Sequence, residues 1–186
     1  DQQPKKAMTS LNKAEEILYR LDEASRRVKG REIKLLRARA LSQLNKPVKA
    51  IEILVDMPVD PDVNRLRADI AWRAGEWDEA AEALGQMLVD SGVSPARSLT
   101  SLQAELVMNR AVALNLADNR VALSQLRERF KDQMKNTSRG RIFEVLTRPR
   151  KSMVLADRET LMSVVSEVDI FKDFLETYRT GSAETQ

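Results

Sequence analysis

The chain has 186 residues, 42 % of them hydrophobic, 32 % charged and only 4 % aromatic, with no cysteine, no histidine and a formal net charge of +3. That length can bury one ordinary core or a short run of stacked repeats, and the excess of Leu, Ala and Val points to helices packed on helices. Without Cys or His there is no thiol nucleophile, imidazole base, disulfide or common zinc ligand, and no apolar run approaches the ~18 residues needed to cross a bilayer.

Apolar positions recur at Ala7, Leu11, Ala14, Leu18, Leu21 and Val28, a spacing of three and four that predicts a helix over 5–29, with Gly30 as its stop. A second helix is expected over 32–43, with Ile33, Leu36, Ala40 and Leu44 on its apolar side. Asn45-Lys46-Pro47 supplies a turn and a third helix follows over 48–55. The two prolines of Met57-Pro58-Val59-Asp60-Pro61 mark a linker. A fourth helix covers 62–74, capped by Asp60 or Asp62 and ended by Gly75. The fifth runs over 78–89 to Ser91-Gly92.

Ser94-Pro95 opens a longer helix to about Leu116, with Leu99, Leu102, Leu106, Ala113 and Leu116 apolar. Asp118-Asn119 turns the chain into a basic amphipathic helix over 121–134 carrying Leu123, Leu126 and Phe130. A short helix over 139–146 precedes an irregular stretch over 147–156, and two helices are expected over 158–166 and 169–179. In the last, Ile170, Phe171, Phe174, Leu175 and Tyr178 share a face that either buries as a cap or docks another subunit. Gly181 follows in the position glycine favours after a helix.

Charge is distributed in blocks. Residues 1–60 and 91–155 carry net charges of +4 and +7, while 61–90 and 156–186 carry −4 each. Such alternation attracts neighbouring blocks to each other and steers charged partners. The chain begins with Asp1 rather than Met, so it is expected to be a processed or excised piece of a longer bacterial protein, ending at its natural C-terminus. A cysteine-free chain suits cytosol and periplasm alike.

An internal period supplies the architecture. Ala38 to Met57 reads ARALSQLNKPVKAIEILVDM and Ala68 to Met87 reads ADIAWRAGEWDEAAEALGQM, offset by 30 residues, with Ala38/Ala68, Ala50/Ala80, Leu54/Leu84 and Met57/Met87 matched. The second copy, through Ala68, Gly75, Trp77, Ala80, Leu84 and Met87, resembles the tetratricopeptide repeat, a helical hairpin of 34 residues. The first copy has Asn45 where the family has Gly and Pro47 where it has an aromatic, and residues 104–130 form a degenerate third in which Ala122 and Leu126 match.

The resemblance implies an all-α array of stacked hairpins: a helix over 1–30, two hairpins over 31–90, a third over 91–136 and capping helices over 137–186. It implies that Ala68 and Ala80 meet at a hairpin crossing beside Trp77, and that Trp72 either anchors a ligand or stacks on the preceding repeat. It also implies a non-catalytic scaffold that holds a protein or peptide segment on the faces of its first helices, through Glu32, Leu35, Arg39 and Ser42 and through Asp62, Arg65, Asp69 and Trp72, with no cofactor. The Lys/Asn clamp with which the family grips a C-terminal carboxylate is not reproduced, because Leu35, Arg39 and Leu66 occupy its places.

A rival reading rests on Arg139 to Lys151, RGRIFEVLTRPRK, where Arg139, Arg141, Arg148, Arg150 and Lys151 stand against the single acid Glu144. Such a cluster neutralises the phosphates of a nucleic acid or an anionic surface, although Phe143 is its only aromatic and is expected to be buried. The apolar run Met153-Val154-Leu155 beyond it either tucks under the last helices or forms a partner patch.

Overall fold

A carboxylate, not a glycine, punctuates the first forty residues. The computed structural model describes residues 3–149, and in it the helix predicted over 5–29 is two helices. The first, α1 (Gln3–Glu16), ends early, a single 3-10 turn covers Leu18–Arg20, and the second, α2 (Glu23–Gln43), runs through Gly30 without interruption. Asp22 is the cap: its side chain accepts the backbone N–H of Ser25 at 3.0 Å, which satisfies a donor that the helix cannot satisfy itself. The same hydrogen bonding holds the Asp22 carboxyl below its ordinary pKa. Arg26 then donates back to the carbonyls of Leu18, Tyr19 and Leu21 and fastens the 3-10 turn to the helix. Gly30 has no conformational task here; a β-carbon added to it would meet only Leu18 Cδ1, at 3.9 Å.

The remaining helices are α3 (Pro47–Val55), α4 (Pro61–Ala74), α5 (Trp77–Asp90), α6 (Ser101–Leu116), α7 (Arg120–Lys135) and α8 (Gly140–Thr147). All regular structure among the described residues is helical, so the chain is all-α over that range, and no described helix is long and apolar enough to cross a membrane. The helices expected over 158–166 and 169–179 lie outside the described residues. Two compact units divide the chain, Asp1–Gly75 and Glu76–Gln186. The boundary falls inside the segment 31–90 read as two hairpins, and Ala68 and Ala80 belong to different units.

In the first unit α2 packs against α1, α3 and α4. Because α2 is covered from several sides, its buried set is Ile33, Leu35, Ala38, Ala40 and Leu41, which keeps the expected Ile33 and Ala40, is broader than a single stripe and takes Leu35 in place of Leu36. Leu36 is 48 % exposed, and Leu35 is buried at 9 %. Asp60 ties α4 into this unit in two ways. Its Oδ1 accepts the backbone N–H groups of Asp62 and Val63 at 2.8 and 3.0 Å, capping α4. Its Oδ2 accepts Nε and Nη2 of Arg31 on α2 at 2.9 and 2.7 Å, a charge-assisted fork.

In the second unit α6 lies among α5, α7 and α8 and has ten buried residues, including Leu106, Val107, Ala111, Ala113 and Leu116, spread around the helix as befits a central one. It begins at Ser101 and not at Pro95. Thr100 Oγ1 accepts the Gln103 N–H at 3.2 Å while Gln103 Oε1 accepts the Thr100 N–H at 3.0 Å, and this reciprocal box decides the start. Gln133 on α7 donates to the carbonyls of Ser94 and Arg97, holding the linker that the sequence assigned to the helix. Asn115 donates to Leu146 O at 3.1 Å and Arg127 to Glu144 O and Thr147 Oγ1, so the last turn of α8 is satisfied from two other helices.

Three of the turns that join successive helices share a backbone feature. Asn45 (φ 58°), Gly75 (φ 75°) and Asp118 (φ 54°) are all left-handed, and two residues after each a new helix starts at Pro47, Trp77 and Arg120. In α2–α3 and in α6–α7 the residue after the left-handed one donates to a carbonyl five residues back, Lys46 to Leu41 and Asn119 to Leu114, each at 2.9 Å. Asn45 therefore does in the first copy what Gly75 does in the second, since asparagine tolerates this conformation better than other side chains.

Gly30→Ala should stabilise the chain by about 0.5–1 kcal/mol, the helix-interior advantage of alanine, whereas Gly75→Ala should destabilise it by about 1–2 kcal/mol because of its left-handed backbone. Urea denaturation followed by circular dichroism measures both, and the reverse order would place the helix break at Gly30.

Candidate functional site

The strip of side chains with the most charge brought together in the first unit lies on α2 and α4. Along α4 it runs Asp62, Arg65, Asp69 and Trp72 or Arg73, spacings of three and four that keep one helix face. Arg73 bonds the Asp69 carboxylate, and Arg65 Nη2 lies 3.3 Å from Asp62 Oδ1. Asp62 also receives Arg31 at 3.3 Å.

Asp69 is the half-buried centre of the strip. Burial pushes its carboxyl above the ordinary carboxylate range, against the charges of Arg73, Arg65 and Arg39, which act in the opposite sense. Three guanidiniums from two helices thus bear on one carboxylate. Of the residues expected on this face, Arg39 is exposed and Arg65, Asp69 and Trp72 are half-buried. Leu35 is buried with the core of the unit, which corrects its placement as an accessible groove residue: one helical position separates it from the exposed Leu36, and α2 is packed on the side that Leu35 faces. Arg73 was not foreseen, though its i+4 spacing from Asp69 was a readable signal.

In the second unit Arg139, Arg141 and Arg148 of the basic segment fall among the described residues. Arg139 is half-buried at the start of α8, Arg141 is exposed, and Arg148 is exposed and lies 3.6 Å from Glu144. Arg150, Lys151 and the run Met153-Val154-Leu155 lie outside the described residues. Phe143 is buried at 1 % and offers no stacking face. What the sequence did not join to this segment is α7: Arg127, Lys131 and Lys135 line a groove of about 400 Å³ together with Arg141, Asp132 and Glu144. Two of these cations are already engaged, Arg127 with the end of α8 and Lys131 with Glu128 at 2.7 Å. No group of three or more carboxylates able to hold a metal ion occurs among the described residues.

The Asp69 proton has a measurable consequence. A carboxyl raised by folding holds its proton more tightly in the folded chain than in the unfolded one, so its contribution to stability falls as pH rises from the unfolded value through the folded value. The melting temperature of Asp69→Asn relative to wild type should therefore increase across that acidic window and level off above it; a constant difference would mean that Asp69 titrates as an ordinary surface carboxylate.

Comparison with protein-family models, with curated proteins and with solved structures finds no match for this chain.

Proposed function

We propose that the chain is a non-catalytic, tetratricopeptide-like scaffold that holds a peptide or protein segment along the α2–α4 strip. The observation that carries the reading is the convergence of Arg39, Arg65 and Arg73 on Asp69, with Trp72 three residues along the same helix. A strip of alternating charge beside an aromatic binds an extended segment by hydrogen bonds and charge pairs, with the aromatic as anchor. The repeat reading draws support from the alanines Ala38, Ala50, Ala68 and Ala80, all buried to 0 %, and from the left-handed residues Asn45 and Gly75, which stand 30 residues apart. A role in binding rather than reaction also agrees with a sequence that holds neither His nor Cys.

A second reading, nucleic-acid or anionic-surface binding, is favoured by the α7–α8 groove with Arg127, Lys131, Lys135 and Arg141. The two readings differ in their response to salt, because each phosphate contact adds roughly 0.7–0.9 to the slope of log affinity against log salt.

Peptides selected by display on the wild-type protein should bind Arg39→Glu at least about tenfold more weakly, while circular dichroism of that variant is unchanged, since Arg39 is exposed. Their affinity should vary little with salt and be indifferent to Arg141→Ala combined with Arg148→Ala. If no peptide is enriched, and single-stranded nucleic acid binds with a steep salt slope that the double variant reduces, the second reading replaces the first.

A further inference from the structure

The middle of α5 holds a buried glycine whose missing side chain is filled by another helix. A β-carbon built on Gly85 would lie 2.8 Å from Cζ of Arg110, 3.0 Å from its Nη2 and 3.1 Å from its Nε. Three guanidinium atoms at nearly equal distances mean that the planar group lies over the α5 backbone, in the space that any larger residue would take. A glycine inside a helix weakens it relative to alanine, so the sequence keeps a locally unfavourable residue at the place where the guanidinium rests.

Arg110 comes from α6, the helix with ten buried residues at the centre of the unit. It is half-buried, and its Nε is shut off from solvent with no hydrogen-bond partner. The charge that acts on it is another cation, Arg129 of α7; burial, and then that repulsion, hold the Arg110 guanidinium below its ordinary pKa. Arg129 itself is exposed, with its guanidinium carbon 5.1 Å from the ring centroid of the adjacent Phe130. Among the described residues no carboxylate bonds or pairs with Arg110. A desolvated charge without a counter-charge is unfavourable, and a second charge of the same sign makes it more so.

From this geometry we infer that Arg110 and Arg129 form a seat for one oxyanion, a carboxylate or phosphoryl group, on α5, α6 and α7. Only Nε of Arg110 is closed off, so its two Nη groups remain to donate, and a guanidinium presents these N–H groups in a fork that matches two oxygens of such an anion. Gly85 is the positioning residue: it lets the guanidinium lie against the helix with its donors turned outward. The missing counter-charge is supplied by the ligand. The site belongs to the second unit and does not rest on the reading of the α2–α4 strip.

The test uses the full chain labelled with nitrogen-15 and follows the arginine Nε–H resonances while potassium phosphate or potassium acetate is added, with potassium chloride at matched ionic strength as the reference. The Arg110 resonance should shift saturably with phosphate, with acetate or with both, and not with chloride. Saturation by acetate identifies a carboxylate source, and saturation by phosphate alone a phosphoryl source. Arg129→Gln and Gly85→Ala should each weaken the anion about tenfold, the loss expected for a displaced charge-assisted hydrogen bond. Gly85→Ala keeps every charge, and an unchanged circular dichroism spectrum and melting temperature of that variant assign its loss of binding to the displaced guanidinium. Arg27→Gln, which removes an exposed cation from the other unit, should leave the affinity unchanged. A response that follows ionic strength alone in all three salts, or one that is equal in Gly85→Ala and wild type, overturns the proposal.

Discussion

Close approach between helices, made possible by alanine, is the constraint on which the rest of the structure depends. Ala38 and Ala50 in the first unit and Ala80, Ala83, Ala111 and Ala113 in the second are all buried to 0 %. A methyl group at a crossing lets two backbones come near enough for the flanking Leu, Ile and Met side chains to interdigitate. That geometry leaves little room for aromatics. The buried rings among the described residues, Phe130 and Phe143, sit at α7 and α8, beside the central helix rather than on it. A large residue at any of these alanines would force the helices apart and strain the surrounding packing.

Tight packing also determines what the charges can do. Surface pairs such as Arg27 with Glu23, both more than 80 % exposed, contribute little. The Arg31–Asp60 pair differs because Asp60 is held at both oxygens. Burial pushes its carboxyl up, but the Val63 N–H, Arg31 and the Asp62 N–H outweigh that and leave it below its ordinary range. One side chain thereby caps α4 and fixes it to α2. Asp69, nine residues further along, is the contrasting case: burial dominates there, even with three arginines near.

Local chemistry made much of the fold legible. Pro47 at a first helical position, Gly75 at a left-handed stop and Leu123, Leu126 and Phe130 on one face of α7 are each decided within a turn or two of chain, and the structure has all of them. Gly30 misled because glycine only weakens a helix; Asp22, eight residues earlier, has a side chain that caps a helix, and the cap prevailed. Pro95 misled for a related reason, since the reciprocal bonding of Thr100 and Gln103 offers more to a helix start than a fixed φ does. For the site, Arg39, Arg65 and Asp69 follow from what the resemblance to the tetratricopeptide repeat implies for its first helices, and the spacing of Arg65 and Asp69 keeps them on one face of α4. Whether Leu35 or Leu36 turns inward depends on how many helices cover α2, a tertiary fact that no periodicity contains. Arg110 was the least readable: a lone arginine in a mostly apolar helix looks like surface until its missing counter-charge is seen.

The left-handed turns reach one backbone state through different side chains. Asn45 and Gly75 stand 30 residues apart in different chemistry and the same backbone state, each followed after one residue by a new helix. Asp118 repeats the device 43 residues later, the interval being longer because residues 91–100, held by Gln103 and Gln133, intervene before α6 begins. What recurs is thus a backbone requirement and not a residue type. Glycine, asparagine and aspartate all meet it, the last two at some cost in strain, and a search for repeated glycines alone finds only the second turn.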